Sequence, residues 1–284
     1  MSKEITTELG IEACAGLFDS HAHYFDRKFN ELSGGADALL TDEVFASGVC
    51  GIVNVGTNPE NSLICIEQAR RFEKMYATAG IHPEDAMYMS GDVEALVGKI
   101  RDLLDTPEKR RQNKIVAIGE IGLDYHCENC DKERQAEFFE AQLCLAEQTD
   151  LPVVIHDRDA HGDCFETVIR HPRVRGVFHS FSGSAEMARE LVRRGWYVSF
   201  SGVITFKNAK RVREVAESVP LDRVLIETDC PYLTPVPYRS KINHSSLMRY
   251  TARELAEVRG LEYSQIVCAT AENAAKLFGL TRNL

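Results

Sequence analysis

Eight short runs of strand character recur along this 284-residue chain: GLFDSHAH, GVCGIVNVG, YATAGIHP, KIVAIGEIG, LPVVIHD, RGVFHSFSG, WYVSFSG and RVLIETDC. All but the first follow a segment with helical patterning, such as PENSLICIEQARRFEK, CDKERQAEFFEAQLCLAEQ, SAEMARELVRRG and NAKRVREVAESV. In the third of these, Met187, Leu191 and Val192 fall at helical spacing while Glu186, Arg189, Glu190 and Arg193 face away. Continuous apolar strands belong in a parallel sheet covered on both faces. Eight such units in roughly 250 residues predict an α/β fold, the closed (β/α)8 TIM barrel. The rival is a doubly wound sheet, but its phosphate-binding glycine fingerprint is missing. No linker, low-complexity tract or Pro-rich hinge interrupts the pattern. Residues 17–284 are therefore expected to form a single domain behind a short N-terminal leader, residues 1–16. The tail TARELAEVRGLEYSQIVCATAENAAKLFGL reads as two extra C-terminal helices closing the barrel's outside.

Composition narrows the class. Hydrophobic residues at 44% and charged residues at 27% suit a soluble globular protein. No apolar run approaches the ~20 residues of a membrane span, and no basic segment leads into an apolar stretch as in a secretory signal. Nine cysteines, an odd number, suit free thiols in a reducing cytosol better than a disulfide framework. A formal charge of −10 counts against a protein that coats nucleic acid. It leaves room for an enzyme that handles an anionic chain at one local site, where bound metal supplies the attraction.

In such a barrel chemistry collects at the C-terminal ends of the strands. The first strand ends in Asp19, His21 and His23, which alternation places on one face. The third ends at His82 in GIHP, the fourth at Glu120 in IGEIGLD, the fifth at His156, the sixth at His179 and the eighth at Asp229 in IETD. Each alone has a bland reading. A His-x-His pair is more often packing than metal-binding, and a lone carboxylate after apolar residues defaults to an ion pair, because burying it unpaired is costly. Packing, however, gives no reason for all of them to gather at one end of alternating units, whereas a metal site requires it.

Four histidines with two or three carboxylates exceed the three protein ligands of a single catalytic zinc. They suffice for two divalent ions about 3.5–4 Å apart that share one carboxylate. Glu120 is the natural bridge, because its strand lies midway around the barrel. His21, His23 and Asp229 would clasp one ion, and His156 and His179 the other. Asp19 would orient the histidine pair from behind or approach the metal itself. The mixed nitrogen and oxygen set does not choose among zinc, manganese and magnesium. Two such ions are the apparatus of hydrolysis at a phosphoryl or carbonyl centre, with Glu120 and Asp229 as the catalytic carboxylates and Asp229 placed to take a proton from water.

Substrate signals are fewer. Arg158 lies two residues past His156, and Arg239, Lys241 and Asn243 follow the eighth strand in a loop on the catalytic side, where phosphate contact is expected. Ser180 to Gly183 offers hydroxyls and backbone amides suited to an oxyanion. The later basic residues of KNAKRVRE read as a solvated helix face. His161 and His171 are expected at the surface, His126 just beyond the rim. CENC, a C-x-x-C with no second pair, reads as a loop and not a zinc ribbon.

Six segments in order, FDSHAH, GIHP, AIGEIGLDYH, PVVIHDRDA, VFHSFSG and IETDCPYLTP, closely resemble the TatD family of metal-dependent deoxyribonucleases, within the wider amidohydrolase-like barrels. The resemblance spans nearly the whole chain after residue 16. It implies a TIM barrel with up to two divalent cations that hydrolyses DNA phosphodiesters, often as a 3′→5′ exonuclease. By position it implies metal roles for His21, His23, Glu120, His156, His179 and Asp229, and substrate contacts for His82 and Arg158. The chain departs from the family in the loop after the eighth strand. There RSKINHSS keeps Arg239, Lys241 and Asn243 but has Ser240 where many relatives carry glycine, and His244-Ser245 where they carry Glu-Pro.

Two alternatives stand beside this reading. A small-molecule hydrolase of the same superfamily, acting on an amide, lactone or phosphoester, often bridges its metals with a carboxylated lysine on the fourth strand. The nearest lysine here, Lys114, is at the opposite end, although the acidic charge favours a small substrate. A non-catalytic scaffold would have lost ligand positions, and none is missing.

Overall fold

The computed structural model describes residues 16–126 and 129–280, so the leader lies outside the described residues except for Gly16. All eight expected strands form: β1 (Leu17–Ala22), β2 (Val49–Asn54), β3 (Met75–Ala79), β4 (Ile115–Asp124), β5 (Val153–Arg158), β6 (Gly176–Phe178), β7 (Tyr197–Phe200) and β8 (Val224–Ile226). They pair in chain order and in parallel. Beyond β8 the chain draws up against β1. Ser20 Oγ donates to Ile226 O at 3.0 Å, Asp229 N to His21 O at 2.9 Å and His23 N to Cys230 O at 2.8 Å. The result is a nearly closed (β/α)8 TIM barrel.

Local chemistry explains where the outer helices begin. Asn58 accepts from Asn61 N at 2.8 Å and Pro59 sits in the first turn of helix Pro59–Arg71. Ser184 likewise caps helix Ala185–Arg193, which buries Leu191 against the core. Between β1 and β2 no single crossover helix forms. The chain instead makes four short helical turns, Arg27–Glu31, Gly35–Leu39, Leu40–Val44 and Phe45–Ser47. Gly34 and Gly35, at φ +79° and +66°, break the run with a conformation most residues avoid.

The barrel's floor is apolar. Phe18, Val53, Val116, Val154, Val177, Tyr197 and Leu225 come from seven strands and form one buried cluster, so they must point inward. Phe18 reaches across this floor because Gly51 beside it has no side chain; a Cβ there would lie 2.2 Å from the ring. Ala271, Ala274, Leu277 and Phe278 join the cluster. The last helix, Tyr263–Leu277, thus seals the end of the barrel away from the ligand-bearing strand termini, where only an outside position was expected. Helix Met248–Arg259 packs as expected against the outer wall.

Two other expectations need correction. Cys50, Cys65, Cys144, Cys164, Cys230 and Cys268 are free thiols, but Cys130, half-buried in the irregular loop after β4, is disulfide-bonded. Cys14 and Cys127 lie outside the described residues. His171 is buried, not exposed, because Glu140 from a neighbouring helix accepts from its Nε2 at 2.7 Å. Among the described residues, no helix is long and apolar enough to cross a membrane.

Candidate metal centre

The strand ends deliver six of the expected side chains to one buried point. Glu120, at the fourth strand, is the hub. Its Oε2 lies 3.4 Å from His21 Nε2 and 3.6 Å from His23 Nε2. Its Oε1 lies 2.8 Å from His156 Nδ1 and 2.9 Å from His179 Nε2. The two carboxylate oxygens therefore face two separate nitrogen pairs. Asp229 completes the first group, its Oδ1 3.3 Å from His23 Nε2 and 3.6 Å from His21 Nε2. A left-handed turn at Asp229, φ +57°, swings this side chain back over the end of β1.

Hydrogen bonds on the far side of each ring show which nitrogen has a free lone pair. His23 Nδ1 donates to Val55 O at 2.8 Å, His179 Nδ1 to Glu227 Oε1 at 3.2 Å and His156 Nε2 to Asp124 Oδ2 at 2.9 Å. With those protons fixed, His23 Nε2, His179 Nε2 and His156 Nδ1 are left as lone-pair donors directed at Glu120. This is the outer support that metal-ligating histidines commonly have. His21 lacks it, since its Nδ1 is buried without a hydrogen-bond partner.

His82 is different. Its Nδ1 accepts from Glu84 N at 3.1 Å, capping helix Pro83–Tyr88, so the ring proton belongs on Nε2, 3.5 Å from Glu120 Oε1. Proximity alone groups His82 with Glu120 and His156 as possible ligands. The tautomer makes it an N–H donor aimed into the site.

Close packing of nitrogens supports the fit to cations. His21 Nε2 and His23 Nε2 are 3.0 Å apart, and His156 Nδ1 and His179 Nε2 3.2 Å apart. Facing lone pairs at such distances repel unless a proton or a metal lies between them. Without metal, protons take that place. Burial disfavours the His156 imidazolium, but hydrogen bonds to Asp124 and Glu120 outweigh it and push the group up to about 9. His179 is likewise raised against its burial, chiefly by Glu120 and Glu227. Burial would raise Glu120, but His179, His82 and His21 hold it well below the usual carboxylate range. His21 is lowered, first by burial and then by His179.

Asp124 and Glu227 were missed in the sequence. Both carried a readable signal: Asp124 is four residues past Glu120 and Glu227 two before Asp229, spacings that share a strand face. Asp124→Ala is expected to weaken metal affinity about 10–100-fold, read by titration with manganese, because His156 loses the partner that fixes its tautomer.

Asp19 does not share the histidine face. An irregularity in the β1–β2 pairing between Asp19 and Ala22 breaks the alternation. Its buried carboxylate accepts instead from Thr228 Oγ1 at 2.6 Å, Ser245 Oγ at 2.7 Å and His21 N at 3.3 Å, so it braces the backbone of His21. Burial, the largest influence, pushes it up to about 7 against those hydrogen bonds.

The centre opens into a cavity of about 680 Å³. His82 and Arg158 line it, with Phe25, Phe181 and Tyr232 as its aromatic walls. Asp26, Glu84 and Asp85 add acidic groups to its lining, and Asp157, also in the lining, is bonded to His161. Arg239, Lys241 and Asn243 do not line it. Both Asn243 amide hydrogens go to backbone, Thr228 O at 2.9 Å and Tyr232 O at 2.7 Å, which holds the loop together. Arg239 lies 3.8 Å over the Phe206 ring and donates to Thr234 O. Lys241 is exposed outside the cavity. Lys114 sits at the far end of β4, its ammonium taken up by Ala69 O, Phe72 O and Glu73 O.

The chain is similar to known proteins over nearly its whole length. The TatD related DNase family matches residues 18–279. An uncharacterized metal-dependent hydrolase of Bacillus subtilis, YabD, is 39% identical over 92% of this chain and 98% of its own length. The Escherichia coli counterpart YcfH is 33% identical over 92% of this chain and 95% of its own. The crystal structure of the TatD homologue YjjV from Escherichia coli superposes with a TM-score of 0.85 at 29% identity, covering 94% of this chain and 99% of that one. A phosphotriesterase homology protein from Escherichia coli shares the fold, with a TM-score of 0.64 at 16% identity over 93% of this chain and 99% of its own. The chain belongs to the TatD family of metal-dependent hydrolases.

Proposed function

We propose that this hydrolase cleaves DNA phosphodiesters, removing nucleotides from 3′ ends of single strands with the help of two divalent cations. The observation that carries the reading is the split of Glu120 between two nitrogen pairs, supported by lone pairs held in place from behind. His21, His23 and Asp229 would hold one cation and His156 and His179 the other, with Glu120 shared. Bound there, the cations would activate a water and stabilise charge on the phosphoryl oxygens. Magnesium, manganese and zinc all suit this donor set.

The chain's own groups supply the rest. Asp229 takes a proton from the attacking water. Asp229 and Glu120 both line the cavity, but the Asp229 side chain is 15% exposed against 3% for Glu120, so it is the more open of the two. His82 offers a hydrogen bond from its Nε2–H to a phosphoryl oxygen, and Arg158 pairs with a phosphate of the strand. The water oxygen bonds to phosphorus and the bond to the 3′ oxygen breaks. The 3′ oxygen leaves with the proton that Asp229 took from the water, so the shortened strand keeps a 3′ hydroxyl and the released nucleotide carries the phosphate.

Purified protein given end-labelled single-stranded DNA should release mononucleotides with manganese or magnesium and stop with chelator. The acidic mouth favours a second reading, a small-molecule metallohydrolase acting on an amide, lactone or phosphoester. No metal-dependent product from DNA, alongside turnover of such a panel, would decide for it.

Cation binding itself has a separate signature. At a concentration about a hundredfold above its Kd, a metal bound only by the folded state adds about 2.7 kcal/mol, or roughly 5–10 °C in Tm. Thermal unfolding with manganese and with excess chelator should differ by that amount. Equal midpoints would mean that the clustered nitrogens bind no cation.

A further inference from the structure

The cavity mouth holds an aromatic side chain that the hydrolytic roles leave unused. Tyr232 lines the cavity yet is 41% exposed, one of few large apolar rings left open to solvent among the described residues. Three contacts fix it. Its hydroxyl donates to Asp26 Oδ2 at 2.6 Å, the Lys28 ammonium lies 3.9 Å from its ring centroid, and its backbone N–H donates to Asp229 O at 2.9 Å. Asp26 is tied in turn by accepting from Lys28 N at 2.8 Å. The ring is therefore a rigid surface three residues from the carboxylate that faces His21 and His23. A ring already held in place gives up little freedom when something stacks on it.

We propose that Tyr232 is the stacking platform for the nucleobase of the nucleotide being removed, on the ring face opposite Lys28. The inference rests on the nuclease reading and names how the strand end is held. Stacking accepts any base, because every base has a π-face, and aromatic rings beside cations are the usual equipment of single-strand binding. Two more such pairs stand beyond the strand C-terminal ends: Lys132, at the start of helix Lys132–Thr149, lies 3.9 Å over Tyr125 just after β4, and Arg239, after β8, lies 3.8 Å over Phe206, after β7. Lys28, exposed beside this ring, also sets a positive charge next to a cavity that Asp26, Glu84 and Asp85 make acidic. The competing role for Tyr232 is a brace, in which the bond from its hydroxyl to Asp26 merely joins the loops after β1 and β8.

The test gives metal-loaded protein single-stranded DNA ending either in a normal nucleotide or in an abasic residue. Wild type is expected to show a KM about tenfold or more lower for the base-bearing end. Tyr232→Ala should bring that ratio close to one, while Tyr232→Phe, which keeps the ring and loses only the hydroxyl, retains it. A terminal 2-aminopurine joined through a phosphorothioate linkage that resists cleavage gives a direct readout. Its fluorescence should be quenched by wild type and Tyr232→Phe but not by Tyr232→Ala. A wild-type KM no lower for base-bearing ends overturns the platform without need of any variant. So does a loss in Tyr232→Phe as complete as in Tyr232→Ala, which assigns the side chain to bracing. Failure of wild type to cut either DNA defeats the nuclease reading itself, and the platform with it.

Discussion

Glu120→Ala is expected to lose about a thousandfold or more in kcat/KM while its Tm falls by no more than about 8 °C. The activity loss follows from position. No other carboxylate among the described residues lies between both nitrogen pairs, so its removal leaves neither cation group complete. The stability cost stays at about 1–2 kcal/mol because the surrounding histidines can shed their protons once the carboxylate is gone. Loss of Glu120 removes one of the two carboxylates that raise His156, so its pKa falls from about 9 while the hydrogen bond to Asp124 still holds the ring. Steady-state kinetics and thermal unfolding on one preparation check both halves. Equal activity in the variant would remove the bridging role, and a collapse of folding would make Glu120 a structural residue.

Asp229→Asn should separate proton transfer from metal holding. Asparagine keeps an oxygen where Oδ1 stands, so the group with His21 and His23 remains able to bind its cation, while the base is gone. We expect kcat to fall by about 10²–10⁴ with metal content per chain unchanged. Metal analysis beside kinetics reads this. If metal content and activity fall in proportion, Asp229 acts as a ligand only and the proton goes elsewhere.

The barrel and its six converging side chains were legible because each follows a short apolar run, and parallel strands put all their C-terminal ends at one mouth. His179 follows directly after β6 as that rule expects, whereas β4 runs on to Asp124 past Glu120 and β5 to Arg158 past His156. What escaped depends on pairing between distant segments. Alternation assigns Asp19 to the histidine face, but the irregularity against β2 that breaks it is set by the partner strand. His171 looked exposed because its partner Glu140 is 31 residues away on another helix. The loop after β8 has no periodicity to read, so nothing in RSKINHSS showed that Asn243 would turn inward to its own backbone and Arg239 onto Phe206. Asp124 and Glu227 were visible as acids at the right spacing, yet their value as supports appears only once the ring nitrogens they face are known.

The most direct measurement is an anomalous difference map from crystals of the manganese-loaded protein. Two peaks per chain are expected, one among His21, His23 and Asp229, the other between His156 and His179, with Glu120 touching both. A single peak, or density away from Glu120, would contradict the shared-carboxylate centre.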